Sequence, residues 1–156
     1  MVEIQSLEEF RKKLVSFRFA ILRHQLPADS VRSSHWDLLL EKPNGLDEAL
    51  LTFAATTPPE EWGNATVVQQ LPDHRAVYLD YDGPVSGNRG IVCRVVNGTL
   101  QWKEFSTKRL IATVQFSGTP DLSDKVHVVK SELRLRKLTD QLGNCSQWEL
   151  ALVPTS

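Results

Sequence analysis

From residue 18 onward, hydrophobic and polar side chains alternate with a period of two, in short runs broken by Pro, Gly, Asn and Asp. Alternation of this kind places successive side chains on opposite faces of an extended chain and predicts half-buried strands. The runs fall at 18–24, 34–41, 49–54, 65–71, 76–81, 90–96, 100–105, 109–116, 126–129, 132–138 and 147–153. Turn chemistry separates them at Pro27-Ala28-Asp29, Pro43-Asn44-Gly45, Asp82-Gly83-Pro84, Asn97-Gly98 and Leu142-Gly143-Asn144. Asn97-Gly98, between Val95-Val96 and Thr99-Leu100, predicts a hairpin with a type I′ turn. Ahead of the strands the period is helical. Ser6 and Glu9 match a capping box, and Leu7, Phe10 and Leu14 share one helical face with Arg11, Lys12 and Lys13 turned outward. The pattern predicts an all-β fold, a compact β-barrel preceded by a short N-terminal α-helix. No repeat or linker divides the chain, so residues 1–156 read as one domain, with 56–64 as a surface loop around Pro58 and Pro59.

Composition narrows the class of partner. Net charge is −1, which argues against a protein that coats nucleic acid through bulk positive charge. A small local cluster of cations gripping one strand end is compatible with it. No apolar run approaches the ~20 residues needed to cross a bilayer. The N-terminus lacks the apolar core of a secretory signal, and Cys93 and Cys145 have no metal or redox spacing. A cytoplasmic protein with reduced thiols and no membrane association is the expectation.

The most informative chemistry is His35-Trp36-Asp37. Residues two apart on a strand share a face, so an imidazole and a carboxylate emerge side by side among apolar neighbours. Trp36, Leu38 and Leu40 form the apolar face that should meet the core, leaving His35, Asp37, Leu39 and Glu41 to line a pocket or mouth. Three readings fit. His24, His35 and His74 are unrelated surface or hydrogen-bonded residues, since four histidines in 156 residues is no excess. Alternatively, His35 and Asp37 join His74 or His127 in the two-histidine, one-carboxylate triad of a non-haem iron oxygenase. In the third, His24, His35 and Asp37 hold a metal for phosphoester hydrolysis, with His74 and Tyr78 aimed at substrate. The four tryptophans, Trp36, Trp62, Trp102 and Trp148, are better read as core than as base-stacking platforms, and Glu60-Glu61 as solvated charge.

The order Arg23-His24, His35-Trp36-Asp37-Leu38-Leu39-Leu40-Glu41, Asp73-His74 with Tyr78, and Tyr81-Asp82-Gly83 resembles the 3′-phosphoesterase domain of bacterial DNA ligase D. That family reads Lys-His, His-Tyr-Asp-Phe-Arg-Leu-Glu and Glu-Asp-His-Pro-Leu-x-Tyr-x-x-Phe-Glu-Gly. The last block aligns without a gap from Asp73 to Gly83, and residues 87–90 resemble a shortened form of the glycine-rich turn that follows it. The resemblance implies a β-barrel that removes 3′-terminal ribonucleotides or 3′-phosphates from DNA ends during non-homologous end joining. It also implies a divalent cofactor, Mn²⁺ first with Zn²⁺ or Co²⁺ as alternatives, held by His24, His35 and Asp37. His74 and Tyr78 would be catalytic. DNA 3′ ends or RNA–DNA junctions would be the partners, with ligase and polymerase proteins alongside.

Three cations of the family pattern are replaced here, by Leu39, Thr57 and Thr66. Each charge-assisted hydrogen bond to a phosphate is worth ~1.5–3 kcal/mol, so three losses remove several powers of ten in rate unless other cations substitute. Arg32, Arg75 and Arg89 are the candidates for substrate binding. Arg134 and Arg136 share one strand face, read as solvent-facing. Without substitutes, the chain becomes a metal-containing module that binds nucleic acid or protein without turning it over.

Overall fold

Why the alternating runs form a closed surface is visible in how they pair. A computed structural model of the protein describes residues 16–43, 49–117, 130–139 and 146–155. The expected helix over 6–14, the strand over 126–129, His127 and the turn at Leu142-Gly143-Asn144 lie outside these residues. The strands are β1 (Ser16–Gln25), β2 (His35–Glu41), β3 (Ala49–Ala55), β4 (Thr66–Arg75), β5 (Gly83–Pro84), β6 (Ile91–Phe105), β7 (Arg109–Phe116), β8 (Lys130–Lys137) and β9 (Gln147–Pro154). Neighbours run β1-β2-β3-β4-β9-β8-β7-β6, and β6 returns to pair with β1, so eight antiparallel strands close a barrel. The two-residue β5 adds to β6 at Val92 and Ile91.

Two apolar clusters follow from the alternation. The first draws side chains from all eight barrel strands, among them Phe19, Leu38, Phe53, Val68, Leu100, Leu110, Leu133 and Trp148, and therefore fills the interior. The second draws Ala20, Leu22, Leu39, Leu50 and Val92 from β1, β2, β3 and β6 alone, and Leu79 covers them. It lies on the outer face, roofed by the segment that follows β4. As expected, Leu38 and Leu40 join the interior, whereas His35, Asp37 and Leu39 face outward. Trp62 and Trp148 are buried, and Trp36 and Trp102 pack against the interior cluster.

Two expected elements differ. Residues 76–81 do not form a strand; Ala76–Leu79 is a 3-10 turn, with the Asp80 amide donating to the Val77 carbonyl at 3.1 Å. β1 already has β2 on one side and β6 on the other, so no backbone edge is available there. The segment satisfies its own amides and offers the barrel Leu79, Tyr78 and Tyr81 instead. Nor is Asn97-Gly98 a hairpin turn. β6 runs straight through it, pairing Asn97 with Ala20 and Gly98 with both Phe19 and Phe116. A Cβ on Gly98 would stand 2.0 Å from the Gln115 carbonyl oxygen and 2.8 Å from the Phe19 ring. The glycine serves a close approach of three strands, not a reversal.

The segment 56–64 runs as a loop, though an anchored one. Trp62 is fully buried, its indole donates to the Thr57 carbonyl at 3.0 Å, and its own carbonyl accepts from Leu152. Glu60 and Glu61 are exposed in a short 3-10 turn, Pro59–Glu61. Among the described residues, no helix is long and apolar enough to cross a membrane.

Candidate metal centre

β1 and β2 pair His24 directly with His35, and Leu22 with Asp37. Antiparallel register thus brings two imidazoles and a carboxylate from separate segments onto one patch of the outer face. One donor atom from each of His24, His35 and Asp37 lies within 4.8 Å of the others. His24 Nδ1 is 3.4 Å from Asp37 Oδ2, and His35 Nε2 is 3.1 Å from Asp37 Oδ1. The Asp37 side chain is 1% exposed and that of His35 is 5% exposed.

Main-chain carbonyls orient the rings. A carbonyl only accepts, so the nitrogen facing it must carry the proton. His24 Nε2 donates to the Arg89 carbonyl at 2.7 Å, and His35 Nδ1 donates to the Ser33 carbonyl at 2.9 Å. In the neutral rings, His24 Nδ1 and His35 Nε2 are therefore lone pairs, and both point at Asp37. His35 Nε2 and Asp37 Oδ1 are buried and neither has a hydrogen-bond partner, despite their short separation. Two lone pairs and a carboxylate facing one another are electrostatically complete only with a positive charge among them, either a proton or a metal cation. Buried donors of this type, with the distal ring N–H held by a carbonyl, are the arrangement of histidine metal ligands.

Titration behaviour reflects the same geometry. Burial pushes the Asp37 carboxyl up, but once the rings are protonated, hydrogen bonds from His24 and His35 and the charges of His35 and His74 outweigh it and hold it at about 2. The Asp37 hydrogen bond raises His24 above its ordinary value, against the opposing effects of burial and of the Arg32 charge.

A cleft of about 560 Å³ opens over this centre. His24, His35 and Asp37 line it together with His74, Tyr78, Arg32, Arg75 and Arg89. Every residue singled out for the phosphoesterase site thus reaches one cavity. His74 does so through a β-bulge: Thr52 pairs with Leu71 and Leu50 with His74, so β4 has two residues, Pro72 and Asp73, against the single Leu51. Strict alternation from Gln69 would send His74 inward; the extra residue turns it out. Buried Thr52 fixes the bulge, accepting from the His74 amide at 3.3 Å and donating to the Leu50 carbonyl at 2.9 Å. His74 Nδ1 donates to the Pro72 carbonyl, and Nε2 has no hydrogen-bond partner among the described residues. Tyr78 meets His74 edge to face at 5.9 Å, from the 3-10 turn and not from the strand expected for it.

The glycine turn supplies the remaining wall. Gly87, Asn88 and Gly90 have positive φ, and a Cβ on Gly90 would stand 2.0 Å from the Gln25 carbonyl oxygen. This close approach brings the Arg89 carbonyl onto His24. Arg89 itself turns back to the Ser86 carbonyl and hydroxyl.

The replaced cations do not contribute here. Leu39 is fully buried in the outer cluster, and the Thr57 and Thr66 hydroxyls are 3.4 Å apart, away from the cleft. Arg134 and Arg136 pair with Glu132 and Glu149 on the solvent side. Sequence reasoning missed Thr52 and Ser33, whose roles run through backbone contacts and leave no mark in residue type. No family model matches the chain, and no curated protein is significantly similar to it.

Proposed function

We propose that this protein is a metal-dependent phosphoesterase acting on the 3′ ends of DNA, removing a terminal ribonucleotide or phosphate as the ligase D domain it resembles does. The observation that carries the reading is the convergence of two imidazole lone pairs, that of half-buried His24 and that of buried His35, on a buried carboxylate at the floor of a cleft rimmed by arginines and a histidine. His24, His35 and Asp37 hold a divalent ion, Mn²⁺ first and Zn²⁺ or Co²⁺ next. Such an ion polarises a phosphoryl oxygen and lowers the pKa of a bound water. Arg32, Arg75 and Arg89 supply the charge-assisted hydrogen bonds that Leu39, Thr57 and Thr66 do not. His74, when protonated at Nε2 with its Nδ1–H kept on the Pro72 carbonyl, gives that proton to the departing oxygen and is reprotonated from solvent, and Tyr78 holds the His74 ring against the roof. DNA 3′ ends or RNA–DNA junctions are the substrates, with a ligase and a polymerase acting as separate proteins.

The test is incubation of the purified protein with Mn²⁺ and a primer ending in one ribonucleotide or in a 3′-phosphate. Product formation that is lost in His74→Ala supports the reading. Bound Mn²⁺ with no product at high protein concentration replaces it with the binding-module reading, which the loss of three cations favours. The oxygenase reading expects His74 or His127 as the third donor, whereas the donor beside His35 and Asp37 is His24, and His127 lies outside the described residues. The arginine rim favours a phosphate over a 2-oxo acid with one carboxylate, and oxygen uptake with an iron-loaded sample would reverse that preference.

A further inference from the structure

A shallower depression of about 380 Å³ adjoins the cleft, and His35 and Arg32 line both. Its floor follows from register. Asp37 pairs with Ala54, Ala54 with Gln69, and Gln69 with Gln147. The alternation that turns Asp37 outward turns the other three outward as well, because Val68, Phe53 and Trp148 beside them are interior. One row of side chains therefore crosses four strands, from the metal-binding carboxylate over a methyl group to two carboxamides. At about 4.8 Å per strand, Gln69 stands roughly 10 Å from Asp37 along this row. Gln69 and Gln147 are exposed, and neither carboxamide has a hydrogen-bond partner among the described residues. Val67 (53% exposed) and Val31 (103% exposed) also line the depression, and both are open to solvent.

We infer that this depression is a subsite for an unpaired nucleobase next to the scissile phosphate, so that the preferred substrate is a single-stranded or frayed 3′ end. The inference rests on the phosphoesterase reading and specifies its substrate. A carboxamide presents a donor and an acceptor side by side, the complement of a base edge. Two of them, on paired positions of β4 and β9, meet the Watson–Crick edge that a duplex conceals and an unpaired end exposes. Ala54 keeps the floor low between the metal centre and the carboxamides. The valines supply apolar surface for the faces of the base, and Arg32 stands on the ridge between the two depressions, where the linking phosphate must pass.

The experiment is fluorescence anisotropy with the full chain in Mn²⁺, using a labelled octanucleotide whose 3′-phosphate is replaced by a non-hydrolysable 3′-methylenephosphonate. Two companions are compared with it: the same strand lacking its last base, and the same strand in a blunt duplex. The intact single strand is expected to bind about tenfold more tightly than either, the size of one bidentate hydrogen-bonded pair. Gln69→Ala with Gln147→Ala should reduce that preference to within about twofold. Ala54→Leu should do the same by filling the floor without removing a hydrogen bond. Mn²⁺ affinity, read by calorimetry, stays unchanged in both variants. Equal binding of the abasic and intact strands, or a duplex bound as tightly as the single strand, overturns the subsite while leaving the metal and phosphate reading in place. Wild-type protein that takes up no Mn²⁺ overturns both.

Discussion

Asp37 is nearly inaccessible to water yet ionised, and each of its oxygens faces an imidazole nitrogen. Asp37→Ala or His35→Ala should weaken Mn²⁺ binding by more than about 100-fold, because loss of a partner merely around a ligand already costs 10–100-fold. Calorimetric titration reads this, and His127→Ala should leave the affinity as it is. The protonation of the pair sets a pH dependence. His24 titrates above its usual value in the fold, so its stabilising contribution is complete below about 6.5 and fades as pH rises through the raised value. Asp37, held at about 2 against an ordinary 3.8, contributes above 3.8 and loses that contribution as pH falls through 2. Metal-free protein should therefore lose stability as pH rises above about 6.5, while Mn²⁺, which competes with the His24 proton, should protect more as pH rises. The gap in Tm between loaded and metal-free protein is expected to widen from about pH 5.5 to about pH 8. A constant gap would remove His24 from the ligand set. At this scale the site was legible where side-chain alternation speaks: His35 and Asp37 are two apart, and their common face follows. Thr52 was not legible, because its hydroxyl serves a backbone amide.

Among the elements, the 3-10 turn and the bulge in β4 decide whether His74 and Tyr78 reach the cleft. Leu79→Ala removes the side chain that seats the turn on the outer cluster and should cost ~2–5 kcal/mol by denaturant titration. Arg18 and Asp80, which also join this turn to β1, are 46% and 61% exposed, so Arg18→Ala should cost less than ~1 kcal/mol. A larger loss for Arg18→Ala than for Leu79→Ala would mean that charge, not packing, holds the roof. Thr52→Val leaves the His74 amide without its acceptor and should cost ~1–3 kcal/mol by denaturant titration while loosening His74 more than His24, His35 and Asp37. Local pattern located most strands because each buries one face. It failed at residues 76–81 and at Asn97-Gly98 for one reason: turn and strand propensities are short-ranged, whereas strand pairing partners are chosen by closure. Asn-Gly suits a hairpin in isolation, yet here the crowding of β1, β6 and β7 takes the glycine for itself.

For the molecule as a whole, closure of β6 onto β1 leaves no open edge among the eight described barrel strands, and the His24, His35 and Asp37 cluster lies on the outside wall. Which strand lies beside which was not legible in sequence, since β1 and β6 are joined by pairs such as His24 with Val92, far apart along the chain. Net charge near zero with a few arginines around one cleft predicts weak electrostatic dependence. With up to three phosphate contacts, the slope of log affinity against log salt for a single strand should be about −2, far shallower than for a protein that coats DNA. A slope steeper than about −4 would place the nucleic acid on a broader surface than the cleft. Each of the three cleft histidines gives a ring proton to a main-chain carbonyl, that of Arg89, Ser33 or Pro72. The trace of the chain, more than the identity of any neighbour, remembers how these rings must be held. Substitutions in the side chains around these rings therefore leave the three ring orientations in place, so long as the backbone keeps its course.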